Sequence, residues 1–316
     1  ITHPPTHACP PHARMPSSRT HVILTPAIAF TKVGLKSAIT ACLKGGDFDC
    51  STGRHGPIGS WYVADVTDMS SMFESATNFA ADISKWDVAR ATTTKSMFAS
   101  AMAFNSDLSD WDVGRVITME AMFFSASSFN SDLSKWDVSR VRKMNHMFAY
   151  ASSLNGDISK WDVSRVVNMQ DMFYSASSLT SGLSSWDVSR VANMLGMFSH
   201  ASSFNGDLSK WNVSQVTTMD DMFAHTSSFN IDISKWDVSG VISMAEMFNG
   251  ASSFAQTLCG AWVTSTADKD GMFDGSPGRM CAIASASTTA VASTTITTTS
   301  FNSNSNSMKN PNQGSV

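Results

Sequence analysis

Trp136-Asp137-Val138-Ser139-Arg140-Val141-Arg142-Lys143-Met144-Asn145-His146-Met147-Phe148-Ala149-Tyr150-Ala151-Ser152-Ser153-Leu154-Asn155-Gly156-Asp157-Ile158-Ser159-Lys160 is one copy of a 25-residue unit that decides the fold. The next copy opens at Trp161, and Trp recurs at 61, 86, 111, 136, 161, 186, 211 and 236; the ninth, Trp262, falls one residue late. Met-Phe pairs keep the same beat from Met72-Phe73 to Met272-Phe273. Self-similarity at a fixed short period is the signature of a repeat array, in which no single unit can bury its own apolar face and stacked neighbours can.

Within the unit, Val141, Met144, Met147, Phe148 and Ala151 fall three and four apart, the spacing of a helix face. Ser139 or Asp137 is placed to cap such a helix, and Ser152, Ser153 and Asn155 to end it. The run Asp157 to Val163 is rich in β-branched and aromatic residues and reads as a short strand. The expected fold is therefore an α/β repeat solenoid, leucine-rich-repeat-like. It has about eight 25-residue coils, each a short strand plus a short helix, with caps at both ends. Parallel strands about 4.8 Å apart would make such an array roughly 40 Å long. Trp86, Trp111, Trp136, Trp161, Trp186, Trp211 and Trp236 are the expected core spine; each buried indole contributes on the order of 4–6 kcal/mol of gross apolar burial. The sharper alternative for the aromatic columns is an exposed carbohydrate platform.

The unit resembles the BspA-type leucine-rich-repeat surface proteins, with their repeated W-D-V-S-x-V-T-x-M-x-x-M-F signature. Trp111-Asp112-Val113 through Met119, Met122 and Phe123 carry it, as do Trp211-Asn212-Val213-Ser214-Gln215-Val216-Thr217-Thr218-Met219 through Met222-Phe223. The resemblance covers about residues 57–275. It implies a solenoid at a cell surface, with adhesion or ligand binding as its role. The copy after Trp86 is the most worn, because Ala91-Thr92-Thr93-Thr94 replaces the usual Val and first Met. Thr180 and Gly182 replace the usual Asn and Asp before Trp186.

The sequence divides into a Pro- and His-rich segment (1–31, expected disordered), a helical N-terminal cap (32–60), the repeat array (61–261), a C-terminal cap (262–281) and a Ser/Thr/Asn-rich tail (282–316, expected disordered). Residues 33–44 read as the cap helix, ended by Gly45-Gly46. Cysteines avoid the repeats. Cys42 and Cys50 lie just before the array and Cys259 and Cys281 at its end, which suggests two cap-pinning disulfides, although four cysteines allow three connectivities. Cys9 is left over. Paired cysteines imply an oxidising compartment, and five reduced thiols would imply a cytosolic protein. A chain that opens at Ile1 reads as either an N-terminally incomplete fragment or a gene-model artefact; Val22 to Phe30 makes a poor signal-peptide core, and no apolar run spans a membrane.

A net charge of −4 gives no basic patch for nucleic acid. Periodicity stacks carboxylates instead, in one column of Asp82, Asp107, Asp132, Asp157, Asp207 and Asp232 and another from Asp87 to Asp237. Like charges about 5 Å apart repel by roughly 3 kcal/mol at an effective dielectric of about 20, so these groups must be solvated, hydrogen-bonded to turns, or compensated by the neighbouring Lys and Arg columns. Calcium held between coils is the sharper alternative, against which stand Gly182, Asn212 and the lack of a glycine-rich calcium repeat. Asn105, Asn130, Asn155, Asn205 and Asn230 are expected to satisfy turn backbone. His146, His200 and His225 fall between the apolar positions and read as a solvated face. Asn212-Val213-Ser214 is a sequon, making Asn212 a candidate glycan site. No phosphate loop, dinucleotide fingerprint, zinc spacing or nucleophile elbow is present, and no catalytic residue, metal or cofactor is expected. The expected role is a non-catalytic cell-surface or secreted adhesion module for a protein or polysaccharide. The alternatives are a structural wall or surface-layer protein and an intracellular interaction scaffold.

Overall fold

The computed structural model describes residues 30–46 and 49–282, so the expectations for the Pro/His-rich segment, Cys9 and the Ser/Thr/Asn-rich tail lie outside the described residues. The 25-residue units are coils laid one on the next. Asp68, Thr93, Thr118, Lys143, Asn168, Asn193, Thr218, Ser243 and Asp268 form an unbroken series of parallel bridges, one per coil.

The path within a coil corrects the expected alternation of strand and helix. The stretch expected to be helical is a ribbon of consecutive tight turns. In the coil from Trp136, the N–H groups of Met144, His146, Phe148 and Tyr150 donate to carbonyls of Asn168, Gln170, Met172 and Tyr174 in the next coil, at 2.7–3.1 Å. The intervening N–H groups of Met147, Ala149 and Ala151 donate three residues back, to Met144, His146 and Phe148. His146 and Tyr150 take left-handed φ of 57° and 61°, which an α-helix excludes. The coil spacing explains the choice. Phe123 and Phe148 stack with centroids 5.5 Å apart, and Phe148 and Phe173 at 5.8 Å. An α-helix about 10 Å across cannot be repeated at that interval, whereas a turn ribbon can, and it places half its N–H groups on the neighbouring coil.

The expected strand at 157–163 also forms turns: the Ser159 N–H donates to Asp157 Oδ1 at 2.9 Å and the Trp161 N–H to Ile158 O at 3.2 Å. Inter-coil pairing sits instead at the ribbon's start. Asp137 accepts from the Ser139 N–H at 3.0 Å, so it closes a turn where a helix cap was expected.

The interior is mainly apolar, with a few buried polar side chains such as Thr94 and Thr226. Trp136, Val138, Val141, Met144, Met147, Phe148, Ala151, Leu154 and Ile158 of one coil are all buried, and the same positions are buried in its neighbours. Phenylalanines pair within a coil, as Phe98 on Phe104 at 3.9 Å, and continue as parallel stacks between coils.

Helix α1 (Lys32–Lys44) covers the first coil. Thr31 Oγ1 caps it by accepting from the Gly34 N–H, and Leu35 and Ile39 face the core. The first coil has carbonyls that no earlier coil can reach. The Lys36 ammonium donates to one of them, Met72 O, at 3.2 Å, and also to Ser71 O, which accepts the Glu74 N–H of its own coil. One coil further on, Met97 O, the counterpart of Met72 O, receives the Phe73 N–H. At the other end, β1 (Thr257–Leu258) pairs in parallel with β2 (Arg279–Met280), and the short helix α2 (Ala261–Thr264) carries the buried Trp262. Among the described residues no helix is long and apolar enough to cross a membrane.

Candidate functional site

The columns singled out in the sequence divide into interior scaffold, turn-closing groups and an outward face. Each array Trp is buried and hydrogen-bonded: the Trp136, Trp161 and Trp186 Nε1 groups donate to Leu108 O, Leu133 O and Ile158 O at 2.9–3.0 Å. Trp86, Trp111, Trp211 and Trp236 repeat the bond 28 residues back. The indoles are therefore no exposed platform.

The aspartate columns close turns. The backbone N–H of Ser134, then its hydroxyl, holds Asp132 below the usual carboxylate range; the hydroxyl of Ser159, then its N–H, does so for Asp157. Asn212 is exposed and its Oδ1 accepts from the Ser214 N–H at 3.1 Å, so it closes the turn that Asp closes elsewhere. Arg90 and Lys135, from the columns expected to compensate these carboxylates, form their ion pairs outside the two aspartate columns, with Asp65 at 2.6 Å and Asp110 at 3.1 Å. The asparagines act between coils, beyond the turn role expected of them. Asn105 Oδ1 accepts from the Asn130 N–H at 2.8 Å, and Asn130 Oδ1 from the Asn155 N–H at 2.7 Å. Among the described residues, no three His, Cys, Asp or Glu side chains come together as a metal-holding group.

Cys42 is bonded to Cys50 and Cys259 to Cys281, with Cα atoms 5.3 and 5.0 Å apart. The first bridge ties α1 to the loop before the array. The second ties the end of the array to the end of the C-terminal cap. Such bridges belong to proteins that fold outside a reducing cytosol.

The outer surface of the turn ribbon carries a feature the sequence reading missed. Phe124, Tyr150, Tyr174, His200 and His225 run across five successive coils in unbroken contact, with centroid steps of 5.5, 5.1, 5.5 and 4.6 Å. Tyr150 is 46% exposed, and both His200 and His225 are exposed. Phe124 and Tyr174 hold one position of the unit and Tyr150, His200 and His225 the next, so no single sequence column contains the stripe. Carboxylates edge it. Asp171, its side chain 17% exposed, lies 3.5 Å from His146 Nδ1, and burial raises its pKa despite that neighbour. Burial, then Glu246 and Asp220, raises Asp221 as well. Burial and then His225 lower His200. A second concavity, about 550 Å³, lies beside α1 and is lined by Phe30, Ala38, Cys42, His55 and Trp61.

Stacked 25-residue coils, an apolar interior and disulfide-pinned caps define a tandem-repeat protein with a regular, chemically varied exterior. The chain matches the family described as "Mycoplasma protein of unknown function, DUF285" in three overlapping spans, residues 46–147, 108–199 and 178–286, and it belongs to that family. No curated protein matches it.

Proposed function

We propose that the coils form one continuous leucine-rich-repeat-like solenoid, related to the BspA-type surface proteins, and that it serves as a non-catalytic binding or adhesion module outside the cell. The observation that carries this reading is the pair of disulfides at the two ends of the array. An oxidised bridge at each cap suits a protein that must keep its terminal coils closed in an extracellular setting. A repeat stack offers a long surface of regularly spaced side chains, suited to an extended protein or polysaccharide partner.

The test is labelling of intact source cells with a membrane-impermeant reagent, followed by a non-reducing peptide map and an adhesion assay with the purified chain. Labelled protein with both bridges, adhering saturably to cell-surface or matrix material, is expected. Unlabelled protein with free thiols would overturn the extracellular reading. Self-assembly into sheets without saturable adhesion would favour a structural layer.

A further inference from the structure

Most positions of the unit repeat almost unchanged, but the outward positions of the turn ribbon do not. In the coil from Trp86 they are Lys95, Ser96, Ala99 (small enough to be covered) and Ser100; in the coil from Trp161 they are Gln170, Asp171, Tyr174 and Ser175. The coil from Trp86 carries only small residues at three of these positions, Ser96, Ala99 and Ser100. Two of these four positions lie at left-handed φ, where Gly196 and Gly250 sit without penalty in other coils. Tyr150, Asp171 and His200 occupy the same positions at φ of 61°, 50° and 58°, a conformation that disfavours L side chains. The neighbours make room for them. A Cβ on Gly196 would collide with Asp171 Oδ1, and one on Gly250 with the His225 ring. Bulky aromatic and acidic groups are thus held at sites where other coils carry serine or glycine.

The chemistry of the stripe is specific. From the coil of Trp111 to that of Trp236, the outward positions hold Glu120, Asp171, Asp220, Asp221 and Glu246 but no Lys or Arg. Glu120 is answered by Lys95 of the preceding coil at 2.7 Å. Tyr174 lies within electrostatic reach of Asp171 and Asp221, and Glu246 lies within reach of Asp221. An organic cation satisfies both kinds of group, since it is attracted to an aromatic face and pairs with a carboxylate.

Building on the binding-module reading above, we propose that the stripe from Phe124 to His225 is the binding face of the array. Its ligand is an extended lysine- or arginine-rich segment of a protein partner, laid across the coils. In an extended segment alternate side chains fall about 6.6 Å apart, close to the ring steps of 5.1 and 5.5 Å, and long flexible cationic side chains absorb the difference. A neutral glycan could stack on the rings but would bring no charge to Asp221 and Glu246, whereas Asp171 already has His146 3.5 Å away.

The test uses the full chain and fluorescein-labelled decalysine, read by anisotropy at physiological ionic strength, with fully acetylated decalysine and chitin hexasaccharide as comparators. Tyr150→Ser with Tyr174→Ser, and Asp171→Ser with Asp221→Ser, install residues that other coils carry at or beside those positions (Ser125, Ser199, Ser96), so the fold is retained. Asp162→Asn with Asp187→Asn removes equal charge from another face, following Asn212. Decalysine should bind the natural chain, acetylated decalysine should not, and each stripe pair should weaken binding roughly tenfold while the control pair stays within about twofold. Equal binding by the stripe variants, equal loss in the control, or binding of chitin hexasaccharide in place of decalysine overturns the assignment. Stripe variants that still adhere to source cells would sink the stripe alone; a natural chain that does not adhere would sink the binding-module reading itself.

Discussion

The Trp161 indole donates from Nε1 to the carbonyl of Leu133, one coil back, at 3.0 Å, and that carbonyl also receives the Trp136 N–H at 3.1 Å. One oxygen thus closes a turn in its own coil and anchors the next. Trp161, 3% exposed, both fills the core and sets the register between coils. Trp161→Ala should cost about 3–5 kcal/mol. Trp161→Phe, which keeps most apolar area but loses the bond, should cost about 2 kcal/mol. Urea titrations of both variants check the order; equal costs would mean that the hydrogen bond contributes nothing.

The worn copy after Trp86 leaves a correctable defect. Thr94 stands in the column otherwise held by Met69, Met119 and Met144; it is buried and its hydroxyl has no partner. An unsatisfied buried hydroxyl costs about 1–3 kcal/mol. Thr94→Met should therefore stabilise the array by about 1–2 kcal/mol, raising the melting temperature by several degrees. Thr226 is the comparison, because its buried hydroxyl donates to Phe198 O at 2.6 Å and Thr226→Ala should give no gain.

The 25-residue period showed how much of this architecture is written in the sequence. A residue that recurs every coil stacks on itself, so the apolar columns, the caps and the grouping of cysteines at the ends followed from the spacing. The local path did not, because Val141, Met144, Met147, Phe148 and Ala151 point inward from a turn ribbon as readily as from a helix. The sign against a helix was present in Gly196, Gly250, Gly271 and Gly275, which share columns with serine and histidine and mark left-handed backbone. The aromatic stripe was hidden for a different reason: it crosses two columns, and only the lateral contact between neighbouring coils joins Phe124 to Tyr150.

The two bridges should protect the ends of the stack. They close sequence separations of 8 and 22 residues. Chain-entropy arguments give about 2.5 and 3.5 kcal/mol for loops of those sizes. Reduction, or Cys42→Ser and Cys259→Ser, should therefore speed amide exchange in the terminal coils and leave the coils around Trp161 protected. Uniform loss of protection would show that the array opens as one unit.

Acid should loosen the coils through their turn carboxylates. Asp132, Asp157, Asp187 and Asp207 have folded pKa values below the unfolded ones, each held there by the hydroxyl and N–H of the serine two residues on. Their stabilisation is complete at neutral pH and is lost as pH falls through the depressed range, below about pH 4. Asp171 and Asp221 carry the opposite sign, because burial raises them and their ionised forms cost stability at neutral pH. Asp171→Ser with Asp221→Ser should accordingly stabilise the chain near pH 7, with a gain that shrinks on acidification. Denaturant midpoints across that range check both signs.

Trp262 gives the Trp161 argument its internal control. It is fully buried and stacks on Trp236 with centroids 6.4 Å apart, but it comes one residue late in the period. Its Nε1 has no partner. The offset keeps the ring in the column but without the inter-coil bond that Trp86 to Trp236 make. Trp236 Nε1, one coil earlier, still donates to Leu208 O at 3.0 Å. Replacing Trp236 by Phe deletes a satisfied donor, whereas replacing Trp262 by Phe deletes an orphaned one. The two substitutions remove nearly the same area, so Trp262→Phe should cost about 1–2 kcal/mol less than Trp236→Phe and fall close to neutral. Equal costs in paired denaturant titrations would show that the Nε1 bond is not what holds successive coils in register.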